Sequence, residues 1–240
     1  MAAPDVEEKI CALKASSPRV KGVRWIFEHE EGTAPLQACE ATRPLIHYLY
    51  GDHYDHFQRI EKGMRTLKKH GLSLDLVCAP SQLPLAAKLL KWHSGVPICI
   101  EYLGTFQTLL GDKINMQNEK TSSEKINIWR QGMHAVSEVP HAYTKLSMLD
   151  NSTSKWVANP EKEEILRDMV YETVDRFGPN RCMIGLAYHP NQLITDLDGL
   201  NMSEPSLPSI LSKLSAWFEI YPKSERQKLF YKTAKKFYGI

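Results

Sequence analysis

The stretch HGLSLDLVCAPSQLPLAAKLLKWHSGVPICIEYLG, residues 70–104, contains a strand, a helix and a second strand. Leucines alternate with other residues over 72–77, which is the two-residue period of a strand with two different faces. Residues 82–93 carry apolar side chains at helical spacing, and Gly95 ends that helix. The run 96–102 is nearly all apolar, which suits a parallel strand buried on both sides. Two such strands joined through a helix predict a right-handed βαβ unit.

The rest of the chain repeats the same alternation. Further strands are predicted at residues 22–27, 141–148 and 181–188. Helical patterns lie between and beyond these strands, at residues 5–16, 55–70, 122–136, 159–177, 207–218 and 224–237. No repeat, linker or low-complexity segment divides the chain, so we predict a single α/β domain over residues 1–240.

Several helix ends carry recognisable signals. Asp5 begins a capping-box pattern, and Asp55 is predicted to cap the next helix. Asn159 followed by Pro160 is typical of an N-cap and the first helical position. Gly71 is predicted to end a helix with a positive φ.

Composition restricts the class of protein. A net charge of +2, with basic and acidic residues interleaved, argues against a nucleic-acid partner and against an acidic membrane surface. No apolar run approaches the roughly 18 residues that span a bilayer. The five cysteines form no CxxC pair, and Cys78, Cys99 and Cys182 fall in predicted strands. Buried free thiols in a reducing cytosol are therefore expected, and the protein is predicted to be cytoplasmic.

Six short phrases occur in the order that one enzyme family shows. They are PRVKGVRW (18–25), LKKHGLSLDL (67–76), QLPLAAKL (82–89), YTKLSML (143–149), FGPNRCMIG (177–185) and KLFYKTAKKFYG (228–239). Together they resemble the amidohydrolase-related family, in particular its sugar-lactonase and dicarboxylate-lactonase branch. The resemblance implies an incomplete or distorted TIM-like (β/α) barrel with its site at the carboxyl ends of the strands.

The sequence departs from that family at the residues that perform its chemistry. The family begins with a strand carrying His-x-His, and no such segment occurs here. Tyr102 stands where the family has its next site histidine, and Ala187 stands where it has an aspartate. The resemblance therefore implies neither a metal bound in the family manner nor an aspartate base, and no cofactor is expected.

Four polar residues on the predicted strands are candidates for binding or catalysis. Lys145 can anchor an anionic substrate or act as a base, and the structural alternative is an ion pair with Asp75 or Glu101. Arg24 can form a fork that binds a carboxylate, or it can form a scaffold pair. Asp75, whose alternative is a structural hydrogen-bonding role, and Ser147, which is in register with Lys145, complete the predicted substrate-binding set.

The remaining catalytic candidates lie in or after two strands. Glu101 can serve as a general acid or base and Tyr102 as a donor, unless Tyr102 only fills space left by a lost site. His189 is the single imidazole near the Ala187 position and suits acid–base work at neutral pH, although a loop histidine often has no such role.

The segment GDHYDH, residues 51–56, offers four metal-ligand side chains within five residues. Its spacing matches no zinc motif, and the capping role explains Asp55 better. No metal site is predicted.

Two functions from different classes follow. The first is a metal-independent, lactonase-type hydrolase acting on a small polar or anionic molecule. The second is a non-catalytic relative that binds a small molecule or another protein, and a third interpretation is that the sequence is an incomplete form of a longer protein. A barrel without its first two strands exposes sheet edges, so we expect residues 28–44, residues 105–121 or a second copy of the chain to cover them.

Overall fold

The computed structural model describes residues 3–26, 54–106, 119–149, 156–186 and 207–240. Five strands and seven helices make up most of it. In chain order they are α1 (Val6–Ser16), β1 (Gly22–Ile26), α2 (Tyr54–His70), β2 (Ser73–Val77), α3 (Leu83–Trp92), β3 (Ile98–Ile100), α4 (Glu119–Ser137), β4 (Ala142–Leu146), α5 (Pro160–Phe177), β5 (Cys182–Ile184), α6 (Leu207–Trp217) and α7. Helix α7 consists of Lys223–Gln227, a π-helical turn Lys228–Lys232 and Thr233–Tyr238.

The strands form one parallel sheet in the order β1-β2-β3-β4-β5. Each strand therefore lies beside the next strand of the chain, which is the winding of a (β/α) barrel. The predicted α/β, TIM-like fold is confirmed, with the sheet open over the described residues. Among those residues, β1 and β5 are each paired with one strand only.

One face of this sheet is apolar and packs against helices. The alternation predicted from the leucines places Leu74 and Leu76 on this face, level with Ile98 and Ile100 of β3. All four side chains are fully buried and belong to the main hydrophobic core. We call this surface the apolar face.

The opposite face carries the intervening residues of each strand. Arg24, Asp75, Cys99 and Tyr143 lie side by side in register across β1 to β4. Helix α7 packs on this surface, where Phe237 forms a second buried cluster with Cys99 and Met183. We call this surface the polar face.

The capping predictions have mixed outcomes. Asn159 accepts a hydrogen bond from the Lys162 amide at 3.1 Å, and Gly71 has a φ of 63°, so both predictions are confirmed. The capping box at Asp5 is wrong, because its carboxylate pairs with Lys9 and caps no helical N–H group. Helix α2 begins at Tyr54, and the side chain of Asp55, the predicted cap, lies outside the described residues.

The strands are shorter than the apolar runs that predicted them. The run 96–102 contains only three strand residues, because the chain leaves the sheet at Glu101. Cys78, Cys99 and Cys182 are fully buried, as predicted, and neither Cys99 nor Cys182 forms a disulfide. None of the described helices combines the length and the apolar character that crossing a bilayer requires.

Candidate functional site

Lys145 connects two carboxylates at the carboxyl end of the polar face. Its Nζ donates to Asp75 Oδ2 at 2.9 Å and to Glu101 Oε1 at 2.6 Å. Glu101 is 1% exposed, and the Lys145 and Asp75 side chains are each 14% exposed. The ion pairs that the sequence offered as the structural alternative for Lys145 are therefore both formed.

Arg24 reaches the same carboxylate from β1. Its Nη2 donates to Glu101 Oε1 at 3.1 Å, and its Nη1 donates to the Tyr102 hydroxyl at 2.9 Å. The guanidinium also lies 5.5 Å from the centre of the Tyr102 ring, within range of a cation–π contact. Two cations therefore converge on one buried oxygen atom. We call Arg24, Asp75, Glu101, Tyr102 and Lys145 the charged cluster.

A left-handed turn brings Glu101 and Tyr102 to the same guanidinium. Successive residues of a strand point to opposite faces, so in a continued strand they would not meet there. The backbone instead takes φ values of 56°, 52°, 70° and 52° from Tyr102 to Thr105. Only Gly104 adopts this region without cost, so the other three residues must be held by contacts.

Four hydrogen bonds hold this turn. The Tyr102 amide donates to Ser147 Oγ at 3.3 Å, and the Gly104 amide donates to the Glu101 carbonyl at 3.0 Å. Trp129 Nε1 donates to the Leu103 carbonyl at 2.8 Å, and the Thr105 hydroxyl donates to the Cys78 carbonyl at 2.6 Å. Ser147, predicted to bind substrate, is 3% exposed and supports the turn.

Burial and charge act in opposite directions on the titrating groups. Burial lowers the pKa of Lys145, but the carboxylates of Glu101 and Asp75 outweigh burial and raise that pKa above its ordinary value. Lys145 is therefore an ammonium at neutral pH, which suits an anion anchor and not a base. Burial raises the pKa of Glu101, and the cations Lys145 and Arg24 oppose that rise. Glu101 is the carboxyl group whose environment suits proton transfer.

The structure brings together all but one of the predicted site residues. Arg24, Asp75, Glu101, Tyr102 and Lys145 are connected directly, and Ser147 reaches them through the turn. His189, residues 51–53 and the side chains of 54–56 lie outside the described residues.

Sequence reasoning missed Tyr238. Its hydroxyl lies 2.8 Å from Asp75 Oδ2, and the two residues are 163 positions apart. No periodicity or motif near residue 238 indicates this contact, because it depends on how α7 crosses the sheet.

A groove of about 620 Å³ lies elsewhere on the surface, between α1 and α2. It is lined by charged side chains of both signs, among them Glu7, Glu61 and Arg65, and includes no residue of the charged cluster. The groove therefore adds nothing to the chemistry at the strand ends.

Comparison with known proteins places the chain in a family. The sequence profile described as amidohydrolase matches residues 12–240. The chain belongs to the amidohydrolase family. The resemblance seen in the six phrases is confirmed.

Solved structures share the amidohydrolase fold with this chain. An amidohydrolase from Burkholderia multivorans with bound HEPES is 19% identical, has a TM-score of 0.73, and is matched over 100% of this chain and 71% of its own. A zinc-bound structure from the same organism is 18% identical, with a TM-score of 0.72 over 100% and 70% of the two chains.

A probable 2-pyrone-4,6-dicarboxylic acid hydrolase from Acinetobacter baumannii, with citric acid bound, gives a TM-score of 0.60 at 12% identity, over 98% and 69% of the two chains. No protein among those with curated descriptions matches the chain. At these identities the structural likeness shows the fold alone.

The zinc in one of these amidohydrolases raises the question whether the charged cluster fits a metal. Its two carboxylates, Asp75 and Glu101, already accept hydrogen bonds from the Lys145 ammonium, which would repel a cation. Burial raises the pKa of the Cys99 thiol, which keeps it a poor ligand. Over the described ranges, no three His, Cys, Asp or Glu side chains are placed to hold an ion. The described part of the site does not fit a metal.

Proposed function

We propose that this amidohydrolase-family chain is a lactonase-type hydrolase that acts, without a bound metal, on a small anionic molecule at the carboxyl ends of β1 to β4. One observation carries the proposal: Arg24 and Lys145 meet at Glu101 Oε1 where β3 ends. Catalytic groups of (β/α) barrels lie at this end of the strands.

The charges of the cluster suit recognition of a carboxylate. Arg24 is the more accessible cation, since 47% of its side chain is exposed while that of Lys145 is 14% exposed. Its planar guanidinium matches the geometry of a carboxylate group. Arg24 therefore contacts the substrate anion first, and Lys145 provides positive charge behind it.

Glu101 and Tyr102 supply the acid–base chemistry of ring opening. Glu101 accepts a proton from the attacking water as the new bond to the lactone carbonyl carbon forms. When the ring C–O bond breaks, the released oxygen takes the proton that Glu101 received, which regenerates the Glu101 carboxylate, and the product is a hydroxy acid. The Tyr102 hydroxyl, which accepts from Arg24, keeps its own proton to donate to a substrate oxygen. His189 remains a proposed further acid–base group.

A panel of lactones that includes 2-pyrone-4,6-dicarboxylate tests this proposal. Wild type, Tyr102→Phe, Lys145→Arg and the exposed control Lys125→Ala are compared after treatment with a chelator. We expect wild type and the control to hydrolyse at least one lactone. Loss of a proton donor lowers kcat by about 10²-fold or more. The kcat of Tyr102→Phe is therefore expected to fall by that factor.

The outcomes test the assignment of the site residues and the metal independence of the reaction separately. Full activity in both Tyr102→Phe and Lys145→Arg would show that the residues are assigned wrongly. Activity that disappears with the chelator and returns with zinc would contradict metal independence.

A non-catalytic binder is the second candidate function, and one observation favours it. Both cations of the cluster already face carboxylates, so the cluster is neutral within the chain and stable without substrate. Titration calorimetry with citrate and with the dicarboxylate pyrone distinguishes the two functions. Binding without turnover by folded wild-type protein would support the binder.

We also propose that the outer edge of β1 is covered, either by residues 28–44 or 105–121 or by a second copy of the chain. Within the described part of the chain, β1 pairs only with β2, and Ile26 at its end is 40% exposed. An uncovered edge invites aggregation. Light scattering after size exclusion distinguishes a dimer from a monomer, and amide exchange in β1 reports whether a monomer covers its own edge.

A further inference from the structure

Helix α7 brings an aromatic pair onto the polar face. The Phe237 ring lies 4.9 Å from the Tyr143 ring, and the Tyr238 ring lies 4.8 Å from Phe237, at nearly a right angle. Phe237 is 7% exposed and packs with Cys99 and Met183. These contacts fix the last turn of α7 against the centre of the sheet.

Tyr238 then contacts both partners of one ion pair. Its hydroxyl lies 2.8 Å and 3.0 Å from the two oxygens of Asp75, so it donates its single proton to that carboxylate. Its ring lies 5.2 Å from Lys145 Nζ, within range of a cation–π contact. Burial and the Asp75 charge raise the pKa of Tyr238, so the hydroxyl keeps its proton at neutral pH.

The π-helical turn of α7 has a role in this placement. One residue added to a helical turn rotates everything after it by about 100° relative to a regular α-helix. The turn at Lys228–Lys232 precedes Phe237 and Tyr238, and therefore sets which side of the last turn faces the sheet. Leu229, in the π-turn, is buried in the main hydrophobic core, and the Thr233 hydroxyl, directly after the turn, donates to the Pro179 carbonyl at 2.9 Å.

We propose that Tyr238 is a positioning residue of the charged cluster: it holds Asp75 and supports Lys145, and thereby sets the place of the Lys145 ammonium beside Glu101. A carboxylate held by two donors constrains the cation that it shares. The effect on substrate rests on the proposed function, since Lys145 is there the cation behind the bound anion. The effect on Lys145 itself does not depend on that function.

Nuclear magnetic resonance of ¹⁵N-lysine protein tests the proposal directly. The Lys145 ammonium signal is identified by its loss in Lys145→Arg. Tyr238→Phe removes the hydroxyl and keeps the ring, while Tyr231→Phe is the control, because Tyr231 lies on the same helix and is 50% exposed. We expect Tyr238→Phe to accelerate proton exchange of the Lys145 ammonium roughly tenfold, since a hydrogen bond to a charged group is lost. The control is expected to leave exchange unchanged.

A second variant distinguishes positioning from general stability. Asp75→Asn breaks the same link from the other side, so the double variant with Tyr238→Phe is expected to exchange no faster than Asp75→Asn alone. Additive effects in the double variant would overturn the proposal, as would a wild-type exchange rate in Tyr238→Phe. This cycle remains decisive if one variant unfolds more easily, because exchange is measured well below each unfolding temperature.

Citrate binding separates this inference from the proposed function. If wild type binds citrate, we expect Tyr238→Phe to weaken its affinity roughly fivefold and Tyr231→Phe to have no effect. Citrate affinity that is unchanged while Lys145 exchange accelerates would overturn the link between Tyr238 and the ligand. If wild type binds neither citrate nor any lactone of the panel, the proposed function fails, and accelerated exchange in Tyr238→Phe still supports the positioning role.

Discussion

The two faces of the sheet are built by alternate residues of the same strands, yet they are stabilised by different physics. Leu74, Leu76 and Ile100 on the apolar face are buried against helices. On the polar face, Asp75 and Glu101 are held by Lys145 and by contacts from β1 and α7. The apolar face needs only shape and area, whereas the polar face needs every partner to be present.

This difference predicts how each face responds to change. An apolar contact weakens gradually as methyl groups are removed. A buried ion pair fails abruptly, because removing one partner leaves an uncompensated charge away from water. The polar face is therefore where stability and pH are coupled.

The largest expected effect is that of Lys145→Met. It leaves two carboxylates without their shared cation, and we expect the free energy of unfolding to fall by about 3–5 kcal/mol. Urea denaturation at pH 7 measures the loss, with the exposed Lys125→Met on α4 as the control, which is expected to change stability by less than about 0.5 kcal/mol.

The loss in Lys145→Met depends on pH. Burial raises the pKa of Glu101 even with Lys145 in place, and without that cation the pKa rises further. A carboxyl group whose pKa is raised by folding contributes stability at low pH and loses it as pH rises. Lys145→Met is therefore expected to be less destabilised at pH 5 than at pH 8. If Lys145→Met lost the same stability at pH 5 and at pH 8, the buried charge of Glu101 would not be the cause of the loss.

Ile100→Ala tests the apolar face at the last residue of β3, directly before Glu101. Ile100 is fully buried, and we expect a loss of about 3 kcal/mol from removed contacts and the cavity left behind. Because no charge is involved, the loss is expected to be the same at pH 5 and pH 8. A clear pH dependence here would remove the distinction between the two faces.

Tyr102→Phe is a smaller change at the rim of the polar face. It deletes the hydroxyl that accepts from Arg24 at 2.9 Å and keeps the ring under the guanidinium. We expect a loss of about 1 kcal/mol in thermal or urea unfolding. A loss as large as that of Lys145→Met would make Tyr102 part of the scaffold of the cluster.

The smallest expected effect is that of a histidine substitution outside both faces. Its titration adds a pH dependence of stability that comes from neither face. Burial lowers the pKa of His93, at the end of α3, and its Nε2 is buried without a hydrogen-bond partner. A base whose pKa is lowered by folding loses stability as pH falls below its ordinary value of about 6.5. His93→Gln is expected to flatten the acid side of the stability curve, and the exposed His134→Gln is expected not to.

The fold was largely predictable because its signal is local. The alternation in residues 72–77 and the helical spacing in 82–93 each arise within one element, and neighbouring elements then pack in chain order. The pairing of Lys145 with Glu101 was also within reach, since opposite charges on one face of adjacent strands meet.

Two features of the site had no such signal. The contact of Tyr238 with Asp75 depends on the path of α7 across the sheet. The left-handed turn contains a single glycine, Gly104, while tyrosine, leucine and threonine rarely adopt that conformation. Tertiary hydrogen bonds, and not local preference, select the turn, so the apolar run 96–102 was predicted as one unbroken strand.

That turn also means that side chains occupy positions where glycine would relax the backbone. Replacing Thr105 by glycine would remove an unfavourable φ of 52° but also the hydroxyl that anchors the turn to the Cys78 carbonyl. Within these four residues, a side chain that anchors the turn therefore comes with an unfavourable backbone conformation. The turn holds the Tyr102 ring against the Arg24 guanidinium, and the cost is strain in the backbone.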